Sequence, residues 1–400
     1  MKARPRLLFV SPQFLFPMDA GGKIRSANIL KHLKGGAFET HLIMPAADEA
    51  AAAWKAEIDS LADQVTMWRA PARNTAWKAR RAAGFLSAIP ISAFADADQR
   101  AKSAVRTALS AGPDLVVFDY AQSLAMAPAR IDAPHLFFAH NVETEILERH
   151  GAAAKGLMKF IWRREAAKMR RFERDACARC AGVIAVSERD AETFRRDFGA
   201  NAAFAIPTGV DSRYFAFSPP AADAPPVLVF TGSMDWKANQ DGLFWFMEEV
   251  WPQIFEKRAD ASFIVVGKNP PRAMTDRGKG LNWRFTGFVD DIRDHAKGAA
   301  YVIPLRVGGG TRIKAYEAMA MGLPVVSTAL GVEGLPVTHD SHLLVADEPE
   351  KFAQAVLRLF DDPTLRTRLA QAARALVENN FSHEAAARVF ESYCLKMMTG

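Results

Sequence analysis

Short unbroken apolar runs, each closed by a turn or a polar residue, punctuate the chain from its start. RLLFVSP (6–12), THLIMPA (40–46), a shorter run at 65–68, PDLVVFDY (113–120), PHLFFAHN (134–141) and AGVIAVS (181–187) have strand length and no polar–apolar alternation. That pattern predicts strands buried on both faces, as in a parallel sheet. Between them lie stretches with helical spacing, such as the one carrying Ile29, Leu30 and Leu33. Strand and helix in repeated alternation predict an α/β sheet covered on both faces. The segment 205–226 breaks the rhythm, with five prolines and no periodicity. The rhythm then restarts with VLVFTGS (227–233), an amphipathic helix at 242–255, and strands at 261–268, 283–289 and 300–305. A helix at 314–322, strands at 324–328 and 342–347, and closing helices at 352–360 and 364–379 follow. Two doubly wound α/β domains are therefore expected, 1–210 and 227–382, joined by a linker at 211–226. The last helix, about 383–400, is free to pack back on the first domain. Ligands of such sheets bind beyond the carboxyl ends of the strands, so a cleft between two such domains is the expected site.

A length of 400 residues exceeds what one core usually supports, in agreement with two domains. The formal net charge of +6 suits a phosphate-bearing ligand or an anionic membrane surface. No nucleic-acid module is recognisable. The chain has three cysteines, Cys177, Cys180 and Cys394, an odd and sparse set that argues for a reducing, cytoplasmic setting. Cys177 and Cys180 form a single C-x-x-C without a second pair, and read as part of one charged helix. No uninterrupted apolar run reaches the roughly 18 residues of a membrane span.

The richest chemistry lies in IPLRVGGGTRIKAYEAMAMGLPVVST (303–328). A strand ends at Leu305, Gly308, Gly309 and Gly310 follow, and a helix starts near Thr311. Glycines let a backbone approach an oxyanion closely, and the free N–H groups of a helix start bind phosphate. Arg312 and Lys314 add positive charge. Glu317, on that helix, is placed to accept hydrogen bonds from a vicinal diol such as ribose. Gly322 and Pro324 end the helix.

The pattern G-G-G-T-R-I-K-x-x-E-A-M-A-x-G-x-P-V-V resembles the donor-binding segment of GT4-type retaining glycosyltransferases, which have the two-Rossmann-domain (GT-B) fold. The resemblance implies transfer of a sugar from a nucleotide-sugar (UDP- or GDP-linked) to a carbohydrate or lipid-linked hydroxyl acceptor, with retention and without a metal or other cofactor. It implies a ribose contact for Glu317 and a phosphate-binding turn at Gly310, Thr311 and Arg312. The family's first motif glutamate falls at Gly309 here, so the usual carboxylate contact to the donor sugar is missing at that position. In VLVFTGSMDWKANQDG, Lys237 matches a pyrophosphate-binding lysine, and Ser233 stands where arginine is common. Val289 and Asp291 match nucleobase-contacting positions, Gly21 and Gly22 match the family's glycine loop, and His140 matches a histidine that touches the donor sugar.

Other readings are plainer. Gly22-Lys23 is not a Walker A motif, for Ile24 follows and no upstream glycine stands at the required spacing. Asp96-Ala97-Asp98 sits in an Ala-rich helical stretch and reads as a solvated face, not a metal pair. No His/Cys/Glu cluster suggests zinc. Basic residues interleaved with aromatics at 66–86 and 155–174 suit either an interfacial helix on anionic lipid or ordinary helix surface. The competing functions are a non-catalytic nucleotide-sugar-binding protein, favoured by Gly309 and Ser233, and a GT-B epimerase. A dinucleotide oxidoreductase lacks its glycine fingerprint.

Overall fold

A computed structural model describes residues 4–70, 72–307 and 313–399. The chain divides into two compact units, Met1–Thr208 with His383–Gly400, and Gly209–Ser382.

The first unit is built on seven strands: β1 (Arg6–Val10), β2 (Glu39–Ala46), β3 (Gln64–Arg69), β4 (Leu115–Asp119), β5 (His135–Phe138), β6 (Gly182–Ala185) and β7 (Ala203–Ala205). All pairs are parallel, in the order β3-β2-β1-β4-β5-β6-β7. The apolar runs end up buried on both faces, as their lack of alternation requires: all five residues of β4 are buried, and four of the five in β1. β7 is the strand that the sequence pattern does not reveal. With three residues it is too short for any periodicity, and it pairs with β6 at the sheet edge.

The last helix, His383–Thr399, belongs to this first unit. Its Phe390 packs edge-on to Phe138 at 5.1 Å, Tyr393 stacks on Phe204 at 4.4 Å, and the Glu391 carboxylate accepts the Ala37 N–H at 2.7 Å.

The second unit repeats the plan with six parallel strands: β8 (Val227–Thr231), β9 (Ser262–Val266), β10 (Trp283–Gly287), β11 (Ala300–Ile303), β12 (Val325–Ser327) and β13 (Leu344–Val345). Their order is β10-β9-β8-β11-β12-β13. Both orders carry the dinucleotide-fold pattern, in which the winding reverses beside the first strand. The helix expected at 242–255 is interrupted. It runs as Lys237–Trp245, passes through a π turn at Phe246–Val250, and resumes at Trp251–Lys257. Pro252 has no N–H to continue the α-helical ladder at that point.

The proline-rich segment 211–226 is fastened to the second unit. Arg366, on the helix Pro363–Asn380, is buried and donates to the carbonyls of Leu359, Phe360, Ala221 and Ala222 at 2.8–3.0 Å. Arg374, two turns on, donates to the carbonyls of Phe215, Ser212 and Ala320. Gly322, with φ near 78°, closes the helix Ile313–Ala320, and a side chain there would strike the Phe217 ring at 2.6 Å. The chain enters and leaves this unit at adjacent points, where the Val210 N–H donates to the Phe381 carbonyl at 2.8 Å.

Replacing Arg366 with Leu takes the donor from four carbonyls, that of Leu359 buried and the others partly so, and should destabilise the second unit by about 2 kcal/mol. Urea unfolding of the full chain, read by tryptophan fluorescence, checks it; an unchanged midpoint would show that water replaces the guanidinium at no cost.

Candidate active site

In the first unit, the reversal of winding falls between β1 and β4. Asp119, the last residue of β4, is fully buried there, an arrangement that costs stability unless the carboxylate is satisfied. Three donors satisfy it. Ser11 Oγ, just after β1, lies at 3.1 Å, Ser26 Oγ on the helix Gly21–Leu33 at 3.0 Å, and His140 Nε2 at 2.7 Å. His140 follows β5 and is 4% exposed. Burial holds its pKa below the usual histidine value; Asp119 opposes that shift, and the Arg25 guanidinium adds to it. The neutral ring donates Nε2–H to Asp119, which leaves Nδ1 as the acceptor, 3.4 Å from Arg25 Nη1.

Tyr120 stacks on the His140 ring, with centroids 4.1 Å apart and planes 25° from parallel. Its backbone is left-handed at φ 60°, a conformation costing a non-glycine residue roughly 1–2 kcal/mol. The glycine loop explains how the ring fits. A Cβ on Gly22 would lie 1.6 Å from the Tyr120 hydroxyl and 3.5 Å from His140 Nδ1, whereas a Cβ on Gly21 meets nothing within 4 Å. Only the second glycine is demanded by packing. Both lie at the start of the helix Gly21–Leu33, which has no side-chain cap and no acid in its first turn, so its N–H groups stay open to an anion.

Beside this cluster a cavity of about 520 Å³ runs along the carboxyl ends of the strands, lined among others by Phe14, Trp68, Arg73, Asp96, Tyr120 and Glu143. Burial raises the Glu143 pKa.

In the second unit the reversal lies between β8 and β11. The loop after β8 leads into the helix Lys237–Trp245, whose first residue extends into solvent and donates from Nζ to Gln240 Oε1 at 3.1 Å. That helix is drawn against the strand ends because Gly242 has no side chain: a Cβ there would lie 2.3 Å from the Pro304 carbonyl oxygen. Asn239 ties three segments together. Its Nδ2 donates to the Ser233 carbonyl at 2.7 Å, and its Oδ1 accepts Lys314 Nζ at 3.0 Å. Lys314 Nζ also lies 4.4 Å from the Phe230 ring centroid. Glu317, one turn on, has its pKa raised by burial, with Lys314 opposing. It is close enough to the buried Tyr301 to raise that phenol's pKa, already pushed up by burial, while the Tyr301 hydroxyl shares a 2.5 Å hydrogen bond with Thr231 Oγ1.

Two sequence profiles match this chain: Glycosyltransferase Family 4 over residues 21–214 and Glycosyl transferases group 1 over residues 225–362. The chain belongs to the family 4, or group 1, glycosyltransferases. One relative, the GDP-mannose-dependent monoacylated alpha-(1-6)-phosphatidylinositol monomannoside mannosyltransferase of Corynebacterium glutamicum, is 28% identical over 226 residues, half of this chain and 58% of the relative. The matched parts of the curated relatives span 21% to 58% of their own lengths. A glycosyltransferase structure from Rickettsia africae superposes with a TM-score of 0.61 at 15% identity, covering 99% of each chain. The Anabaena protein Alr3699/HepE in complex with UDP gives 0.62 at 15% identity, covering 98% of this chain and all of that one. These likenesses establish the GT-B fold, two Rossmann-like domains.

Within this family-4 chain, the expected residues sort into clear groups. Gly22 and His140 meet in the first unit, and Ser233, Lys237 and Glu317 lie around β8 and β11 in the second. Gly308, Gly309, Gly310, Thr311 and Arg312 lie outside the described residues. Asp291 is committed locally: it accepts the Arg293 backbone N–H at 2.9 Å and pairs with the Arg293 guanidinium, which in turn stacks on Tyr214. That pairing holds its pKa down at about 2. Val289 packs partly buried against the core. Ser233, standing in the arginine position, bonds to Asp235 at 2.9 Å, and Asp235 also pairs with Lys268 at 3.4 Å, so a lysine after β9 brings a cation near the place arginine would occupy. Asp96 and Asp98 are half-buried rather than a solvated face: Asp96 accepts the Trp77 indole N–H at 3.3 Å, and Asp98 caps Gln99–Ser110 through the Ala101 N–H. No metal-binding cluster occurs among the described residues. Cys177 and Cys180 are free and buried, their thiols pushed up to about 12 by burial.

Sequence reasoning missed Ser11, Ser26, Asp119 and Tyr120. The signal for Asp119 was present, an acid closing an otherwise apolar run at a strand's carboxyl end. The serines gave no signal, because their role exists only once β1, β4 and β5 are neighbours.

The folded chain binds the His140 proton more weakly than the unfolded chain, so this residue's contribution to stability is lost as pH falls below about 6.5. An NMR titration should place the His140 midpoint below that of free histidine, and Asp119→Asn, which removes the opposing charge, should lower it further. A midpoint that rises in the variant contradicts this electrostatic account.

Proposed function

We propose that the protein transfers a sugar from a nucleoside-diphosphate sugar to a hydroxyl acceptor with retention of configuration and without a metal. The second unit holds the donor. Lys237 neutralises the pyrophosphate as the glycosidic bond breaks, and Glu317 takes the ribose hydroxyls. The observation that carries this reading is the junction at β8 and β11. Asn239 there joins the Ser233 loop to Lys314, one turn before the partly buried Glu317, at the strand ends where this fold binds nucleotides.

The acceptor occupies the cavity of the first unit. Its aromatic walls, Phe14 and Trp68, suit a sugar face, and Arg73 and Glu143 offer polar contacts. His140 can accept a sugar hydroxyl through Nδ1 once Arg25, which faces that lone pair at 3.4 Å, turns to the ligand. In the reaction the C1–O bond to the β-phosphate breaks and a C1–O bond to the acceptor forms. The acceptor's proton passes to the departing phosphate, so no enzymic nucleophile is needed.

The named specificity of the Corynebacterium relative makes GDP-mannose and a phospholipid-linked mannoside acceptor the first pair to test, and the UDP complex of the Anabaena neighbour makes UDP-sugars the second. Among the described residues, no helix is long and apolar enough to cross a membrane.

Incubation with GDP- and UDP-sugars should release free nucleotide, slowly without acceptor. Lys237→Ala should lower kcat about 100-fold, by analogy with loss of one transition-state donor. Glu317→Ala should chiefly raise the donor KM, with a smaller loss of turnover. Nucleotide-sugar binding by thermal shift without any turnover would favour the non-catalytic alternative, and equal, negligible losses in both variants would remove the assignment.

A further inference from the structure

The first unit carries an apolar edge that stands exposed among the described residues. Leu86, in the turn after the helix Thr75–Ala83, is 83% exposed, and Leu157 and Phe160, at the start of the long helix Gly156–Arg179, are 73% and 59% exposed. Leu157, Phe160, Arg164 and Lys168 follow one another at helical spacing and share a face. The two inner members of that row fix the turn in place. Arg164 reaches the Phe85 carbonyl from Nη2 at 3.3 Å and lies 4.9 Å from the Phe85 ring centroid, and Lys168 Nζ donates to the carbonyls of Gly84 and Phe85 at 3.1 and 2.8 Å. Leu86 therefore emerges beside the same face that presents Phe160 and Leu157. The helix start is itself braced from behind, where Trp162 stacks on His150 at 5.0 Å.

The charge around this edge has one sign. Neither 73–95 nor 149–164 contains an aspartate or glutamate. Arg81, Lys155, Lys159 and Arg163 flank the apolar residues, and among the described residues none has a carboxylate partner. Unpaired cations on long stems around a few protruding Leu and Phe side chains match a lipid interface, where the stems lie along the acyl boundary and the charges meet headgroup phosphates. A protein partner would have to supply carboxylates to match these unpaired cations, whereas an anionic bilayer presents phosphates all along such an edge.

We propose that the first unit docks on an anionic membrane surface through Leu86, Leu157 and Phe160, with the surrounding lysines and arginines bound to lipid phosphates. The surface is independent of the donor residues Lys237 and Glu317, which lie in the other unit.

The full chain, mixed with sucrose-loaded vesicles, tests this. It should co-sediment with phosphatidylcholine vesicles containing phosphatidylglycerol, at least tenfold more strongly than with phosphatidylcholine alone, and high salt should weaken the binding. The double variants Leu86→Ser/Phe160→Ser and Lys159→Glu/Arg163→Glu should each lose at least tenfold in vesicle affinity while keeping the parent melting temperature, since these side chains are solvent-facing. Failure to bind anionic vesicles, equal binding to neutral ones, or binding that both variants retain would overturn the proposal. Vesicle-independent self-association that the apolar variant abolishes would overturn it too, by assigning the edge to a second copy of the chain.

Discussion

A parallel sheet wound in both directions from its first strand has one place where neighbouring strands send their chains to opposite faces, and the backbone there leaves an open crevice. In this protein that place lies between β1 and β4 in one unit and between β8 and β11 in the other. The crevice forms beyond the carboxyl ends, where strand hydrogen bonding stops and polar groups need other partners. Functional side chains collect there because the fold has already opened the ladder, and everything else in each unit serves to hold those strand ends in register.

The two crevices solve the polar problem differently. In the first unit, a fully buried carboxylate would be costly, and Asp119 is retained because three donors from three segments converge on it. That convergence also sets the chemistry of His140: one ring nitrogen is committed to Asp119, so the other is the acceptor. Tyr120 completes the arrangement by stacking on the ring, and the left-handed backbone this requires is tolerated where Gly22 leaves space for the hydroxyl. In the second unit a neutral amide does the tying: Asn239 bonds the Ser233 loop through its nitrogen and the half-buried Lys314 through its oxygen, while Lys237 stays in solvent.

The segment 211–226 is tied to the second unit by side-chain hydrogen bonds as well as by Phe215, which packs on its core. The prolines of 211–226 remove the N–H groups that could build a ladder, so carbonyls in that stretch are left for side chains to satisfy. Arg366 and Arg374 do so from one helix, each reaching several carbonyls with its planar fork. The final helix returns to the first unit because its apolar residues, Phe390 and Cys394, find a surface already presented by Phe138 and its neighbours.

The sequence by itself determined the class of fold. Continuous apolar runs of strand length, separated by helical periodicity and restarting after a proline-rich break, admit little besides two parallel α/β units, because strands without alternation must be covered on both faces. It also determined the family, through an ordered motif whose glycines, lysine and glutamate have fixed spacing. What only the tertiary structure decided are contacts between residues distant in the chain. Ser11, Ser26, Asp119 and His140 carry no shared local pattern and become one cluster only through strand order, which period and propensity do not encode. Asp291 had the right address for a ligand contact, yet Arg293, two residues away, already takes its carboxylate. The stretches holding Leu86 and Phe160 suit an interfacial or an ordinary helix surface equally, and only the fold shows that Arg164 and Lys168 bring the two segments together. Local sequence fixes which backbone states are favourable; which polar groups meet depends on long-range packing, and that is settled only when the sheets close.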